Sequence, residues 1–441
     1  MSCSHSLLGK DLFKIILFFS IFCSFNFIPF ISAEIQPIIG IFIILFSIFN
    51  FVFFQKINKS GLVVLFFFII LLPSLIYGIK DGLSNAATYF MYMIGPAIFC
   101  YFYKNFDLLS TKQIKFYTYI FVCFSIVQTL SPEFINNLIN PYFELLIKRA
   151  RFGTYGDMRG VGILYSEPAH AAKYIFLIFI FIISYRLTPH IYTKNSNFKN
   201  SNFKTTFLIV LTFICVILNK SASLYFMFLL LLIIFLFFYF FRISSPKIII
   251  SSLILIILPI YIWLSYTFNI GVILPTRISS LIDSFWMVKD RFTLNDIQYF
   301  GSIRLISVIS GYVGGIIEPM GVGIGNGGKE IFLIMNKVGF DTNSITFLTT
   351  QNVEFLKPNS YGAQIALESG LLGLTFIIIL SIYCFSQIRV NTNVNCFYSA
   401  VLVISIFQIL FFSTTTVTAP WLMLALSLYA LKRLNKNEYS L

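Results

Sequence analysis

Residues 221–241 read SASLYFMFLLLLIIFLFFYFF, an uncharged and almost entirely apolar run. A helix needs about 20 predominantly apolar residues to cross the roughly 30 Å hydrocarbon core of a bilayer. Similar runs recur along the chain, so we expect about twelve membrane-spanning helices. Because the runs are continuous, whereas barrel strands are short and alternating, helices are favoured over strands. The predicted starts lie near Asp11, Ile35, Leu62, Ser84, Ile114, Pro168, Thr205, Ser221, Ile248, Tyr361, Cys396 and Thr416.

The composition indicates an all-α integral membrane protein. Of the 441 residues, 58% are hydrophobic and only 11% are charged, and the mean hydropathy is +0.87. A soluble domain could not bury so much apolar surface. We therefore predict one polytopic membrane domain over residues 1–441.

The distribution of Lys and Arg predicts the topology. These residues fall in alternate connections, and basic residues in short loops remain cytoplasmic. Both termini are therefore expected in the cytoplasm, with a smaller periplasmic loop at 131–167 and a large one at 268–360. The large loop precedes the last three spans and is too long for a simple connection, which favours a folded cap or functional loop. The net charge of +14 then follows mainly from topology, and no nucleic-acid partner is expected.

Two other features of the sequence suggest no chemistry. A cytoplasmic linker is predicted at 187–204, where 195–204 read NSNFKNSNFK, a tandem polar repeat. The seven cysteines fall in predicted spans or cytoplasmic segments, so no outward disulfide is expected. The cysteines form no CxxC pair, and we predict no metal site.

A first group of ionisable residues lies in MRGVGILYSEPAH, residues 158–170, at the outer end of the sixth span. Pro168 suits the first turn of a helix, which places Glu167 at the helix edge and His170 in its first turn. Arg159 and Arg151 precede them, and cations at the membrane surface suit a lipid-linked phosphate. A carboxylate or an imidazole beside them could take a proton from a hydroxyl. Alternatively, these groups simply face water, or Glu167 caps the helix or pairs with an arginine.

The second group lies in RLISVISGYVGGIIEPMGVGIGNGGKE, residues 304–330. Arg304 begins it, and Gly321, Gly323 and Gly325 would allow close backbone approach or positive φ, as in a substrate-lining turn. A merely flexible loop is the alternative. The stretch 323–329 resembles a phosphate-binding loop, but Glu330 replaces the required Ser or Thr, so a nucleotide site is rejected.

The third group lies in KPNSYGAQIALESG, residues 357–370, where the large loop enters the tenth span. Asn359, Tyr361, Gln364 and Glu368 are polar residues in or next to the first turns of an otherwise apolar helix. Carboxylates inside a membrane usually pair or serve function. A helix cap together with an interior ion pair is the alternative.

These three stretches resemble motifs of the Wzy-type O-antigen polymerases, in the superfamily that includes the O-antigen ligases. RGVGILYSEPAH is similar to the family's arginine, glycine and Glu-Pro-Ser-His element, with Ala169 in place of Ser. Arg304 and GVGIG at 321–325 resemble the arginine and spaced glycines of the large loop. NSYGAQIALESGLLG, residues 359–373, resembles the ligase stretch, but Asn359 stands where ligases have histidine.

The resemblance implies a GT-C-like, metal-independent glycosyltransferase without a cofactor in the bacterial inner membrane. Polysaccharide on undecaprenyl diphosphate would be transferred to a newly flipped lipid-linked repeat unit. The implied partners are the undecaprenyl-diphosphate-linked oligosaccharide, membrane lipid, a chain-length regulator and a flippase. Glu167 is the favoured general base and His170 the alternative. The predicted substrate- and diphosphate-binding residues are Arg159, Arg304, Arg277, Arg151, Gly321, Gly323, Gly325, Asn359, Tyr361 and Glu368.

Two other functions remain open. A lipid-linked oligosaccharide flippase or another transporter would also have many helices and basic residues. Transporters usually contain repeats and helices interrupted at the midplane, whereas this chain shows no repeat between its halves and carries its polar groups at the outer face. A ligase shares most of the motifs and is opposed by Asn359.

Overall fold

The computed structural model describes most of the predicted spans as helices, and the described part of the chain contains no strand. The residues described are 2–23, 38–45, 69–80, 82, 85–130, 160–165, 167–189, 201–242, 297–340 and 357–438. The helices named below are α1 (Ser2–Ile21), α2 (Leu72–Ile79), α3 (Asn85–Asn105), α4 (Thr111–Leu130), α5 (Pro168–Leu187), α6 (Ser201–Asn219), α7 (Ala222–Arg242), α8 (Ile297–Ile317), α9 (Gly327–Val338), α10 (Tyr361–Ser386), α11 (Asn393–Phe407) and α12 (Ala419–Glu438).

Membrane character rests on four helices in these ranges. Each is long and apolar enough to cross a bilayer: Pro168–Leu187, Ala222–Arg242, Tyr361–Ser386 and Asn393–Phe412. The protein is therefore an α-helical membrane protein. The total of twelve spans remains a prediction, and the start predicted near Ile248 lies outside the described residues.

Helix α5 lies at the centre of the bundle. It packs against α4, α6, α7 and α12, and most of its side chains are buried, including Tyr174 and Phe176. Peripheral helices instead expose large apolar side chains, such as Ile217 on α6 and Ile382 on α10. A helix with apolar residues on all sides suits either a protein interior or contact with lipid, and both cases occur here.

Helix α10 folds back on itself at Gly370, where φ is +57° and ψ is −135°. A side chain at Gly373 would overlap the backbone of Ile365, so the two halves of α10 lie against each other. Helix α8 packs closely on the first half, because Gly311 and Gly315 lie directly against the backbone of the α10 residues opposite them. This four-residue glycine spacing is typical of close helix contacts in membranes.

The chain between α11 and α12 is also irregular, and most of it is buried. Helix α11 continues as a π-helical turn at Gln408–Phe412, and a non-helical segment at 413–418, which contains a turn, then leads into α12. Two helices contact this segment: the Tyr361 N–H at the start of α10 donates to the Ser413 carbonyl at 2.6 Å, and the hydroxyl of Tyr174, in the second turn of α5, lies 3.0 Å from the Thr418 hydroxyl. The first turn of α10 and the second turn of α5 are thereby brought together.

Two predicted segments can be compared with the helices. The large loop at 268–360 contains α8 and α9, while 268–296 and 341–356 lie outside the described residues. The linker at 187–204 ends earlier than predicted, because α6 begins at Ser201 within the second copy of the polar repeat. Residues 190–200 of this linker, and 131–159 of the smaller loop, also lie outside the described residues.

Candidate functional site

The first and second sequence motifs meet through an ion pair. The Arg304 Nη2 atom lies 3.3 Å from the Glu167 Oε2 atom, although the two residues are 137 positions apart. Their side chains are 58% and 37% exposed, so both are accessible to a ligand. Glu167 precedes Pro168 in extended conformation, and its carboxylate makes no capping bond to α5. Of the open alternatives for Glu167, the ion pair with an arginine is the one observed.

His170 lies one turn into α5, next to this pair. Its backbone N–H donates to the Glu167 carbonyl at 3.0 Å, so the helix begins at the edge predicted from Pro168. Its Nδ1 atom is buried and makes no hydrogen bond. Within the described part of the chain, no hydrogen bond joins the imidazole to the Glu167 carboxylate. Both groups could therefore handle protons, but they are not coupled directly to each other.

Lys173 is a second basic side chain in this region besides Arg304, and sequence reasoning missed it. Its side chain is buried, with 8% exposed, and its Nζ atom donates to the Phe412 carbonyl at 2.7 Å. The charges of Lys173 and Arg304 both act on His170. The sequence did contain a signal, because Lys173 is the only Lys, Arg, Asp or Glu residue of α5 before Arg186, and ionisable residues within spans are usually functional.

The segment before Glu167 forms an arch, residues 160–165, that is held by buried side chains from two helices. Gln128 on α4 donates to the Ile163 carbonyl at 2.7 Å and accepts from the Ile163 N–H at 2.8 Å. Asn219 on α6 donates to the carbonyls of Val161 and Pro168 at 2.9 and 3.1 Å. Ile163 has φ of +56°, which is strained for a β-branched residue. The surrounding protein thus fixes the arch that leads into Glu167.

Tyr165 completes the support of the arch. Its hydroxyl donates to the Ile21 carbonyl at 2.7 Å, and its ring stacks on Tyr174 with centroids 4.7 Å apart. Burial raises the pKa of the Tyr165 phenol well above its usual range, so the group stays neutral and acts as a donor. Gln128, Asn219 and Tyr165 were not predicted, because nothing in their local sequence indicates these distant contacts.

The glycine-rich turn of the second motif wraps around Glu368 of the third. Gly321, Gly323 and Gly325 all have positive φ, between +74° and +92°, as their spacing suggested. The Gly325 N–H donates to the Glu368 Oε2 atom at 2.8 Å, and the Gly323 N–H donates to the Glu368 carbonyl at 3.1 Å. Glu368 is fully buried, and the side chains of Tyr92 and Gln364 lie beside its carboxyl group. The turn and the carboxyl group form one intramolecular unit.

The same turn is also attached to α2 and α3. The Ile324 N–H donates to the Ser74 carbonyl at 3.1 Å. The Asn85 side-chain amide donates to the Gly78 carbonyl at 2.9 Å and to the Asn326 side-chain oxygen at 3.1 Å. The polar contacts described for Gly321, Gly323, Gly325 and Glu368 are all contacts within the protein. Substrate binding by these residues stays a prediction.

Asn359 and Tyr361 lie on either side of the start of α10. The Asn359 N–H donates to the Ser307 hydroxyl at 3.3 Å, and that hydroxyl donates to the Arg304 carbonyl at 2.8 Å. Asn359 is therefore one turn of α8 away from the ion pair. Tyr361 is fully buried, its ring packs against Trp421 with centroids 5.1 Å apart, and its hydroxyl donates to the Tyr92 carbonyl at 3.1 Å.

The remaining predicted site residues, Arg151, Arg159 and Arg277, lie outside the described residues. Within the residues described, no group of three or more His, Cys, Asp or Glu side chains could hold a metal ion. The groups that could take part in chemistry near the start of α5 are thus a carboxylate, an imidazole and two basic side chains.

Comparisons with protein-family models, curated proteins and solved structures found no match to this chain.

Proposed function

We propose that this chain is a bacterial inner-membrane polysaccharide polymerase with both termini in the cytoplasm. It would join undecaprenyl-diphosphate-linked oligosaccharide repeat units on the periplasmic face, as a metal-independent glycosyltransferase of GT-C-like architecture. The observation that carries the proposal is the ion pair between Glu167 and Arg304. It brings together two motifs that resemble those of O-antigen polymerases and lie far apart in the sequence.

The reaction needs two functions from the protein, and this pair offers both. The bond between the anomeric carbon of the donor sugar and the diphosphate breaks while the acceptor oxygen bonds to that carbon. The acceptor hydroxyl loses its proton, which Glu167 would accept as general base. The departing diphosphate carries the developing negative charge, and the Arg304 guanidinium would stabilise it through paired N–H donors.

His170 is the alternative base. Its imidazole is next to the ion pair and its Nδ1 atom makes no hydrogen bond, so it could accept the proton in place of Glu167. Loss of rate in His170→Gln but not in Glu167→Gln would assign the base to His170.

The product of a deletion strain tests the proposed function. Cells that lack this chain should keep single lipid-linked repeat units on the periplasmic face and lose the ladder of longer polymers. Expression of the full chain should restore the ladder. Intact polymers in the deletion strain would refute a polymerase. Loss of the attachment of finished polymer to its final acceptor, with normal chain lengths, would indicate a ligase.

A lipid-linked oligosaccharide flippase is the second candidate, and one structural feature favours it. Helix α10 is interrupted at Gly370, and α11 passes through a π-helical turn into a non-helical segment. Interrupted helices are typical of transporter binding sites. A flippase predicts that the deletion strain holds its lipid-linked repeat units on the cytoplasmic face, where a periplasmic probe cannot label them.

A further inference from the structure

Lys173 is a buried cation whose observed contacts do not satisfy it. An ammonium group has three donors, and in the described part of the chain the Phe412 carbonyl is the one acceptor within hydrogen-bonding distance of its Nζ atom, at 2.7 Å. No carboxylate lies within 4 Å of Nζ among these residues. A cation inside a membrane helix is costly, so residues of this kind usually serve a substrate path or pair with a charge.

The groups around Lys173 suit an anion. The described cluster contains two basic side chains, Lys173 and Arg304, and one carboxylate, Glu167. His170 lies on the same face of α5, three residues before Lys173, and its Nδ1 atom makes no hydrogen bond. A doubly charged group beside the imidazole would neutralise the excess positive charge and supply acceptors.

We propose that Lys173 forms the inner part of a binding site for the diphosphate of a polyprenyl carrier. On binding, the ammonium exchanges its bond to the Phe412 carbonyl for bonds to phosphoryl oxygens, while Arg304 holds the diphosphate from the exposed side. Charge-assisted bonds of this kind are about twice as strong as neutral ones. This inference rests on the proposed function and deepens it, because it assigns a residue that the motifs did not indicate.

The location of Phe412 connects this exchange of hydrogen bonds to the start of α10. Phe412 ends the π-helical turn, and the adjacent Ser413 carbonyl accepts from the Tyr361 N–H at the start of α10. Release of the Phe412 carbonyl would therefore loosen the junction between α5, α10 and the 413–418 segment.

The test measures binding by the purified full chain in detergent, using farnesyl diphosphate as the probe. Farnesyl monophosphate, farnesol, inorganic pyrophosphate and phosphatidylglycerol are compared with it, and dissociation constants are measured by native mass spectrometry. We expect farnesyl diphosphate to bind at least ten times more tightly than farnesol or phosphatidylglycerol. Equal binding of phosphatidylglycerol would assign the site to bulk lipid and overturn the proposal. Tighter binding of pyrophosphate alone would also overturn it, because a carrier site must accept the prenyl chain.

Two variants separate a ligand role from a structural one. Lys173→Gln keeps a donor for the Phe412 carbonyl but has no charge, and we expect it to fold with an unchanged melting temperature while losing tenfold or more in diphosphate affinity. Lys173→Met should also fold, because an apolar side chain replaces a buried charge. Failure of both variants to fold, or unchanged affinity in Lys173→Gln, would overturn the proposal. Lys337→Gln is the matched control, since Lys337 is half-exposed and pairs with Glu318 at 2.8 Å.

The same variants keep this proposal distinct from the polymerase itself. Diphosphate binding that depends on Lys173, in a protein that restores no polymer ladder, would refute the polymerase and leave the anion site standing. A full ladder made by Lys173→Gln would refute the anion site and leave the polymerase standing.

Discussion

Glu167 and Glu368 are both carboxyl residues of the predicted site, but their surroundings differ. Glu167 is partly exposed, faces Arg304 across 3.3 Å, and makes no capping bond to its own helix. Glu368 is fully buried and accepts from the backbone of a glycine-rich turn. A carboxylate that is partly exposed can meet a substrate, whereas a buried one that accepts from the Gly325 N–H can hold a turn in place. The predictions below test this division.

The largest effect on stability is expected at Glu368. Glu368→Ala should lower the free energy of unfolding by about 3 kcal/mol, because the buried Gly325 N–H loses its acceptor and a cavity forms. Glu368→Gln should cost less, since its carbonyl oxygen can still accept. Thermal unfolding in detergent measures both changes. A stably folded Glu368→Ala protein without polymerase activity would instead place this carboxyl group in the substrate site.

The next effect is expected on rate and not on stability. Glu167→Gln should slow polymerisation by about a hundredfold, the usual scale for removal of a general base. Its melting temperature should hardly change, because exposed ion pairs contribute about 0–1 kcal/mol. The initial rate of polymer formation at matched membrane abundance measures the loss.

Glu318→Gln is a close control for this experiment. Glu318 is 39% exposed and pairs with Lys337, so it matches Glu167 in exposure and in partner charge. Its substitution should leave the rate within about twofold, as expected for a surface pair. Equal losses in the two variants would show that Glu167 has no special role.

The comparison of the two carboxyl groups also shows how much of the fold and the site can be predicted from the sequence. The starts predicted at Pro168 and near Tyr361 are confirmed as the first residues of α5 and α10, because the signals for helix N-termini are local. The spaced glycines correctly indicated positive φ. Three features were missed, because each depends on the packing of distant segments. They are the fold-back at Gly370, the hydrogen bond from Lys173 to the Phe412 carbonyl, and the two hydrogen bonds between Gln128 and Ile163. The catalytic and binding roles of Glu167, His170 and Arg304 stay predictions.

A smaller effect is expected at Gln128, which positions the arch before Glu167. Gln128→Ala leaves the N–H and carbonyl of Ile163 without partners and should lower the free energy of unfolding by about 2 kcal/mol. It should also reduce the rate per folded molecule, since the strained arch relaxes and Glu167 moves. Activity and folded fraction are measured on the same membranes.

Gln113 on the same helix offers the control for Gln128. Its side chain accepts from the Ser110 N–H at 2.8 Å, which is a local contact at the start of α4 that does not involve the arch. Gln113→Ala should therefore lower stability without changing the rate per folded molecule. A normal rate in Gln128→Ala would show that the arch does not need to be fixed for catalysis.

The smallest effect is expected for Arg304→Lys, which keeps the charge and removes the planar fork. A lysine ammonium can still face Glu167, so the melting temperature should stay within the range of an exposed pair, about 1 kcal/mol or less. The rate should fall about tenfold, nearly as far as in Arg304→Ala, because a point charge cannot hold two phosphoryl oxygens with paired donors. Initial rates for both variants, measured beside Lys337→Met, separate the fork from the charge. If Arg304→Lys retains the full rate while Arg304→Ala loses it, charge alone is sufficient. The functional difference between Glu167 and Glu368 would then require only that Glu167 is exposed. It would not require that its partner has the planar fork of an arginine.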